Sequence, residues 1–229
     1  MLKNKFTITS VLWLAILLVG LISVSCSSDG EKSGDGLPSD MCADFATFEN
    51  TSGNGSVFTL RKSGDSELIT LTAPVRIDVG KIKPETRLII YYTPSGGQMP
   101  YESGPIDLYG ITAIQNGTPE PTPLATIESW TSQSMKMVSL TRSGEYLDVW
   151  AELSLDARPE RFTLALDEAT ADSAYPELYL VFTSDSQIGR VRQYYASFDL
   201  SDIWDLASCE GVKIRYLGGS GEETVTFSK

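Results

Sequence analysis

Apolar and polar residues alternate along much of the second half of this chain, and this alternation restricts its fold more than any other feature. In Tyr146–Leu155, every second residue from Leu147 is apolar, and Asp148, Trp150 and Glu152 fall between them. Successive side chains of a β-strand point to opposite faces, so the pattern predicts a strand with one face in a core. The same period recurs at 162–166, 178–182, 196–200, 212–216 and 225–227. Such a series predicts an antiparallel β-sandwich over residues 125–229.

Shorter strands, separated by Gly, Pro, Asn and Ser, characterise residues 41–118. The sequence predicts strands at 42–49, 56–61, 68–72, 87–93 and 106–114, with a hairpin turn at 63–66. Because helical periodicity is missing, these strands favour a small closed barrel of the OB type. The predicted fold class is therefore all-β, an OB-like barrel followed by an antiparallel sandwich.

Pro119, Pro121 and Pro123 mark the clearest domain boundary. Proline cannot donate a ladder hydrogen bond, so these residues predict an extended spacer at 119–124 and not a strand in a sheet interior. One helical turn is predicted after Ser201, which would be the N-cap with Asp202 in the first turn. Three apolar residues would then close one end of the sandwich, namely Ile203, Trp204 and Leu206.

The first thirty residues have the order of a secretory signal peptide. Lys3 and Lys5 precede an apolar run from Val11, and small residues then lead to Cys26. This order resembles the lipobox of bacterial lipoproteins, which predicts removal of residues 1–25 and lipidation of Cys26. The lipid would anchor the protein in the outer membrane, on its periplasmic or cell-surface face. An uncleaved membrane helix is the alternative, because the apolar run approaches the length that spans a bilayer.

Residues 26–40 contain the lipidated cysteine and a tether with almost no apolar side chains. Such a segment cannot bury enough surface to offset its chain entropy, so we expect a disordered coil with a reach of roughly 20 Å. The acidic residues beside Cys26 resemble the signal that directs Bacteroidota lipoproteins to the cell surface. A plain solvating linker is an equally good interpretation.

The chain has no histidine and a formal net charge of −12. The absence of histidine excludes Ser-His-Asp and Cys-His catalysis and most transition-metal sites. Removing the signal peptide removes two lysines and no acids, so the mature charge is −12 − 2 = −14. Such a surface repels phosphate backbones, so we expect no nucleic-acid partner.

Carboxylates cluster at several turns and could in principle serve a glycosidase or hold Ca²⁺. They are Asp167, Glu168, Asp172, Asp199, Asp202 and Asp205. Their positions in turns and at a helix start favour capping instead. The glycines of 218–221 lack a following lysine and read as a hairpin turn and not as a phosphate loop. We therefore predict no catalytic residue, no metal and no cofactor.

Two cysteines remain in the mature chain besides Cys26. Cys42 and Cys209 would lie outside the reducing cytoplasm, where a disulfide persists and would contribute about 2–4 kcal/mol. Two buried thiols are the alternative.

Some aromatic residues crowd one part of the predicted barrel, and others fall on the polar-facing phase of sandwich strands or in a loop. The candidates for ligand binding are Tyr91, Trp150, Tyr179 and Tyr194. Exposed aromatic rings on a sheet stack sugars or dock a peptide strand. The alternative is that some of them meet at the interface between the domains and that the others belong to an ordinary amphipathic surface.

The order of these features resembles the NigD-like lipoproteins of Bacteroidota. The residues that carry the resemblance are Phe58-Thr-Leu-Arg-Lys-Ser-Gly-Asp-Ser-Glu-Leu, Glu85-Thr-Arg-Leu-Ile-Ile-Tyr-Tyr-Thr, Ile127-Glu-Ser-Trp130, Glu145-Tyr-Leu-Asp-Val149, Ser197-Phe-Asp-Leu-Ser201 and Val212-Lys-Ile-Arg215. The resemblance implies an OB-type barrel with a β-sandwich, a loose association with bacteriocin gene clusters and immunity, and no agreed catalytic residues. We therefore expect a non-enzymatic envelope lipoprotein that binds a peptide or protein. A carbohydrate-binding accessory lipoprotein is the alternative, and a carboxylate-dependent glycan hydrolase is a weaker third.

Overall fold

The computed structural model describes residues 38–53, 55–130, 132–155, 159–184 and 189–229. The predicted signal peptide, Cys26 and most of the tether therefore lie outside the described residues. Within those ranges, no helix is long and apolar enough to cross a membrane. The described chain is nearly all β-strand, with a closed barrel in the first half and two further sheets in the second. The predicted fold class is confirmed.

Five strands close the barrel, as the sequence predicts. They are β1 (Cys42–Ser52), β2 (Gly55–Leu60), β3 (Ile69–Ala73), β4 (Thr86–Pro94) and β5 (Gly104–Ala113). Their order around the barrel is β1-β2-β3-β5-β4, and only β3 and β5 run parallel. Alternate residues fill the interior, where the rings of Phe48 and Phe58 pack with centroids 5.8 Å apart. Each such side chain contributes about 1.5–3 kcal/mol by leaving water.

Nine strands build the two sheets of the sandwich. They are β6 (Gln115–Gly117), β7 (Glu120–Thr122), β8 (Lys136–Ser143), β9 (Tyr146–Leu155), β10 (Arg161–Asp167), β11 (Glu177–Thr183), β12 (Arg190–Asp199), β13 (Gly211–Gly218) and β14 (Gly221–Ser228). One sheet has the order β6-β12-β9-β8 and the other β14-β13-β11-β10-β7. The alternating apolar residues of β9 and β10 lie in the core between the sheets, on the predicted face.

The sandwich departs from the predicted antiparallel pattern in three pairs. β6 runs parallel to β12, β7 to β10, and β11 to β13. In the third pair, β12 follows β11 in the chain but belongs to the opposite sheet, so β13 returns in the direction of β11. Two parallel neighbouring strands need such a crossover connection. The order of the strands along the sequence does not show which sheet each strand joins, so the parallel pairs could not be predicted.

The proline-rich segment is tied to the sandwich and is not a free spacer. β6 pairs with β12, and β7, which contains Pro121, pairs with β10 at the edge of the five-stranded sheet. Proline is tolerated there because an edge strand needs donors on one side only. Residues 115–122 therefore pair with both sheets of the sandwich. The division of the chain into domains at residue 118 stays a prediction.

Two short helices complete the sandwich. α1 (Leu124–Ser129), which the sequence did not predict, packs Ile127 on the outer face of the five-stranded sheet. α2 (Ser201–Trp204) forms where a helical turn was predicted, and Ile203 and Trp204 are buried. The predicted N-cap is wrong, because Leu200 takes that position and the Ser201 N–H donates to Asp199 Oδ1 at 2.9 Å. Leu206 is 38% exposed and does not close the sandwich.

The two cysteines proposed as disulfide partners lie in different cores. Cys42 belongs to the barrel core, and its thiol points to the Asp40 carbonyl at 3.8 Å. Cys209 belongs to the sandwich core, and its thiol donates to the Gly211 carbonyl at 3.3 Å. No bond joins these two thiols in the structure, because each side chain is buried in its own domain.

Candidate functional site

A cleft of about 750 Å³ lies where the barrel meets the sandwich. The barrel supplies residues of β1 and β2 together with Glu85 and Arg87. The sandwich supplies 116–118, the end of β12, and Ser143, Glu145 and Tyr146. Ligand pockets of proteins typically measure about 300–1,000 Å³ and are common at domain junctions. The cleft is therefore the candidate binding site.

Arg87 forms the floor of the cleft and joins the two domains. This β4 side chain is 2% exposed, and its guanidinium donates to the carboxylate of Asp148 on β9. It also donates to Ser143 Oγ at 3.2 Å, Thr47 Oγ1 at 3.3 Å and Ser197 Oγ at 3.4 Å. Asp148 accepts a further bond from the Ser197 hydroxyl at 2.7 Å. A buried charge is tolerated when it is paired and hydrogen-bonded in this way.

Tyr146 lies against this floor. The Arg87 guanidinium carbon is 4.6 Å from the centre of the Tyr146 ring, a cation–π distance. Burial raises the pKa of the Tyr146 phenol, and the nearby Asp199, Glu145 and Glu49 carboxylates raise it further against the opposing effect of Arg87. The hydroxyl is therefore neutral at physiological pH, the form that is able both to donate and to accept a hydrogen bond.

The cleft presents more negative than positive charge. Its lining includes four carboxylates, those of Glu49, Glu85, Glu145 and Asp199, and two cations, Arg61 and Arg87. The charge of Arg87 is balanced by Asp148, which lies outside the lining. Carboxylates that line a recess focus a negative potential in it, so the cleft attracts positively charged groups.

A second contact between the domains lies at two hairpin tips. The Gly64 N–H donates to the Arg142 carbonyl at 2.6 Å, and the Gly144 N–H donates to the Gly64 carbonyl at 2.7 Å. The Arg142 guanidinium binds Asp65 through two bonds of 2.9 and 2.6 Å and lies 4.1 Å from the Trp204 ring centre. Together with the Arg87 contacts, this pairing fixes the barrel on the sandwich, so the cleft is preformed.

Two of the predicted aromatic residues, Trp150 and Tyr91, lie near Tyr195 at the domain junction. Trp150 on β9 packs beside Tyr195 on β12, with ring centroids 5.7 Å apart, and the Tyr195 ring meets Phe45 of the barrel at 6.3 Å. Burial raises the pKa of Tyr195 to about 12, and the neighbouring Tyr91 adds to the shift.

The other two predicted aromatic residues lie elsewhere. Tyr194 packs on Phe162 at 4.7 Å, beside the sandwich core, and its hydroxyl bonds Gln115 at 2.6 Å. Tyr179 lies on β11 in the opposite sheet, with the Arg215 guanidinium 5.9 Å from its ring centre. The structure therefore does not bring the four candidates into one site.

Two of the six clustered carboxylates make capping contacts of the expected kind. Asp167 accepts from the Ala169 N–H at 3.1 Å at the start of a short 3₁₀ turn, and Asp199 accepts from the Ser201 N–H. Over the part of the chain that the structure describes, no group of three or more Cys, Asp or Glu side chains is placed to hold a metal ion.

Sequence reasoning missed Arg87, Tyr146, Asp148 and Ser197. Asp148 falls on the polar phase of β9, which reads as a solvent-facing side. The barrel covers part of that face, and the covering depends on tertiary packing. The signal that was available is the arginine at the start of the apolar run 87–93, where a charged residue needs a partner if it is buried.

The fold and the cleft define an all-β protein in which a closed five-stranded barrel packs on a two-sheet sandwich. No protein-family model matches this chain, and no curated protein matches its sequence. Solved structures from Bacteroides and a related genus do match it. A protein of unknown function, DUF1344, from Bacteroides vulgatus ATCC 8482 is 18% identical with a TM-score of 0.66, and the match covers 82% of this chain and 90% of that one.

Two further solved structures share this arrangement. A "putative toxin related protein" from Parabacteroides distasonis ATCC 8503 is 16% identical, with a TM-score of 0.63 over 83% of this chain and 93% of that one. A NigD-like immunity protein from Bacteroides caccae ATCC 43185 is 15% identical, with a TM-score of 0.56 over 82% and 92%. The predicted resemblance to NigD-like proteins is thus confirmed at the level of the fold.

Proposed function

We propose that this protein is an envelope-anchored, non-catalytic lipoprotein that binds a segment of a peptide or protein in the cleft between its domains. The observation that carries the proposal is the preformed cleft, whose walls come from both domains and whose floor is Arg87, held in place by its buried partner Asp148 outside the lining. A recess that is already ordered before binding loses little conformational entropy when it is filled.

A role in bacteriocin immunity is the finer form of this proposal. The captured partner would be a secreted bacteriocin, and its capture would protect the producing cell. Support comes from two proteins of the same fold, one named an immunity protein and the other described as toxin related. The acidic lining favours a partner that presents lysine or arginine to the cleft.

The binding test uses a pair of matched substitutions in the full-length protein, purified with a C-terminal tag from cross-linked cells. Thr118 is exposed and lines the cleft, so Thr118→Trp fills part of the space without removing a described hydrogen bond. Thr226→Trp adds the same bulk at an exposed site on β14. We expect a specific peptide or protein to co-purify with the wild type and with Thr226→Trp, and at least tenfold less of it with Thr118→Trp.

Equal capture by the two variants would show that the cleft is not the site. The absence of any specific protein or peptide from the wild type would contradict the capture function itself. Turnover of a glycan that depends on one carboxylate would instead support the hydrolase interpretation and contradict a non-catalytic role.

The anchor is tested by metabolic labelling with an alkyne-tagged fatty acid. We expect the wild type to be labelled and cleaved, and Cys26→Ser to be neither labelled nor cleaved, because only a thiol at that position accepts the lipid. Cys209→Ser is the control, since this side chain is buried in the sandwich core and should not affect labelling. Label that persists in Cys26→Ser would contradict the lipoprotein assignment.

The carbohydrate-binding alternative loses support in the form that the sequence predicts. That interpretation requires Trp150, Tyr179 and Tyr194 to form one binding surface. In the structure, Tyr179 lies on the opposite sheet and Tyr194 packs against the sandwich core. Only Tyr91 and Trp150 lie near a common neighbour, Tyr195.

A further inference from the structure

We propose that the outer face of β9 and β12 is a second binding site, which takes a neutral carbohydrate. Trp150 and Tyr195 provide the stacking surface, and Gln193 and Glu152 provide hydrogen bonds to hydroxyl groups. This site goes beyond the proposed function, because it lies outside the cleft and shares none of its lining residues.

The register of the two strands places the two sites at opposite ends of one sheet face. Ser197 pairs with Asp148 in the middle of this face, where Arg87 of the barrel lies on top. In one direction, β9 and β12 lead to Tyr146 and Asp199, which line the cleft. In the other direction, the next residues on the same face are Trp150 and Tyr195, and after them Glu152 and Gln193. Phe45 of the barrel reaches the Tyr195 ring, so Trp150 and Tyr195 are half-buried at the margin of the barrel, and Gln193 beyond them is exposed.

The aromatic pair lies at this margin, with part of each side chain accessible to solvent. Trp150 and Tyr195 are direct cross-strand partners, and their rings are inclined by only 31° with centroids 5.7 Å apart. Phe45 of the barrel supports Tyr195 from the side, with its ring inclined by 64°. The neighbour of Trp150 on the other strand is Ser139, whose small side chain does not cover the indole. The electron-rich faces of such rings attract the polarised C–H groups on the flat side of a sugar.

A chain of hydrogen bonds orients the polar groups beside these rings. The Trp150 indole N–H donates to the Gln193 amide oxygen, and the Gln193 amide nitrogen donates to Glu152 Oε1 at 2.9 Å. Lys136 Nζ donates to Glu152 Oε2, also at 2.9 Å. Gln193 and Glu152 are two residues farther along their strands than Tyr195 and Trp150, about 7 Å between Cα atoms, and the Gln193 side chain reaches back to the indole. Amide and carboxylate oxygens keep free lone pairs in this arrangement and accept from sugar hydroxyls.

Charge and strand geometry favour a neutral carbohydrate over other occupants. A mature chain of charge −12 − 2 = −14 repels an acidic polysaccharide. At the β8 edge of this sheet, a bulge between Met137 and Ser139 and the exposed Lys136 oppose the addition of a peptide strand. A sugar ring fits such a site, because its flat C–H side can pack on the aromatic rings while its hydroxyl groups donate to the amide and carboxylate oxygens.

The test is affinity electrophoresis of the full-length protein in detergent, through gels that contain starch, xyloglucan or galactomannan. We expect at least one of these polysaccharides to retard the wild type. Trp150→Ala and Gln193→Ala should each weaken binding at least tenfold. The matched control is Trp130→Ala, which removes a partly buried indole from the outer face of the other sheet and should bind as the wild type does. Thermal unfolding of each variant separates loss of binding from loss of the fold.

Three results would overturn this site: a wild type that none of the three polysaccharides retards, an unchanged affinity in Trp150→Ala, or an equal loss in Trp130→Ala. Thr118→Trp separates this site from the cleft. We expect this variant to lose the captured peptide and to keep binding the polysaccharide. Failure of one proposed site can therefore be told apart from failure of the other.

Discussion

At the scale of single residues, the junction depends on a buried charge pair. Arg87 and Asp148 are 2% and 4% exposed. Five side chains form one hydrogen-bonded cluster there, namely Arg87, Asp148, Thr47, Ser143 and Ser197. In such a cluster, removing one charge costs more than replacing both, because the partner is left buried without compensation.

We predict that Asp148→Ala lowers the free energy of unfolding by about 3–5 kcal/mol, as expected for an uncompensated buried arginine. The measurement is urea unfolding followed by circular dichroism. Asp107→Ala, at an exposed position of β5, is the control and should change stability by less than about 0.5 kcal/mol. The pair Arg87→Met with Asp148→Leu should recover most of the loss, and a double variant as unstable as Asp148→Ala would contradict this account.

A pH dependence follows from Asp65 at the hairpin contact. The hydrogen bonds from Arg142 hold the pKa of the Asp65 carboxyl below its usual value. The folded state therefore binds this proton less readily than the unfolded state, so the stabilising effect is present above the unfolded pKa and is lost as pH falls through the folded pKa. We expect the difference in thermal midpoint between wild type and Asp65→Asn to be constant from pH 7 to about 5 and to shrink in more acidic buffer. A difference that grows on acidification would contradict the assignment.

At the scale of elements, the sequence predicted those strands whose period-two pattern faces a core. β1 to β5, β9 to β11, β13 and β14 fall where alternation or an apolar run placed them, and the predicted stretch 196–200 falls at the end of β12, whereas β8 was not predicted. The edge strands β6 and β7 escaped prediction, because three residues of backbone pairing beside prolines leave no side-chain pattern. α1 escaped because its six residues are too few to show a helical period.

The candidate site was less predictable than the strands. Trp150 was singled out for its polar-facing phase and Tyr91 as one of several barrel aromatics, but Tyr195, which lies near both, was not. Whether a polar strand face meets water or another domain depends on how the barrel docks. That docking is decided by contacts between residues far apart in the chain, such as Arg87 and Asp148.

The hairpin tips provide a test at this scale through three glycines. Gly144 has φ +63°, and a Cβ there would lie 3.2 Å from Arg61 Cδ. Gly96 has φ +70°, but the space around it is open. Gly219 has neither a positive φ nor a close neighbour. We expect Gly144→Ala to cost more than Gly96→Ala, which carries only the left-handed backbone penalty of about 1–2 kcal/mol. Gly219→Ala should have little effect. The comparison uses urea midpoints, and equal losses at 144 and 96 would mean that the Arg61 contact adjusts without cost.

At the scale of the whole molecule, the contacts between barrel and sandwich predict one cooperative unfolding transition. Among the described residues, the tryptophans all belong to the sandwich, so fluorescence reports that domain, whereas far-ultraviolet circular dichroism reports both. We expect the two signals to give the same urea midpoint in the wild type. Combining Arg142→Ala with Asp148→Ala removes both junction contacts and should separate the midpoints. Separate midpoints in the wild type would show that the junction does not couple the domains.

The position of Arg87 has a consequence for how such a protein is inherited. The arginine comes from the barrel, while Ser143, Asp148 and Ser197 come from the sandwich, so neither half can bury its part of the cluster alone. A recombination event that supplied a barrel without an arginine at this place would leave Asp148 covered and unpaired. The two halves are therefore constrained to be exchanged together, as a single heritable module.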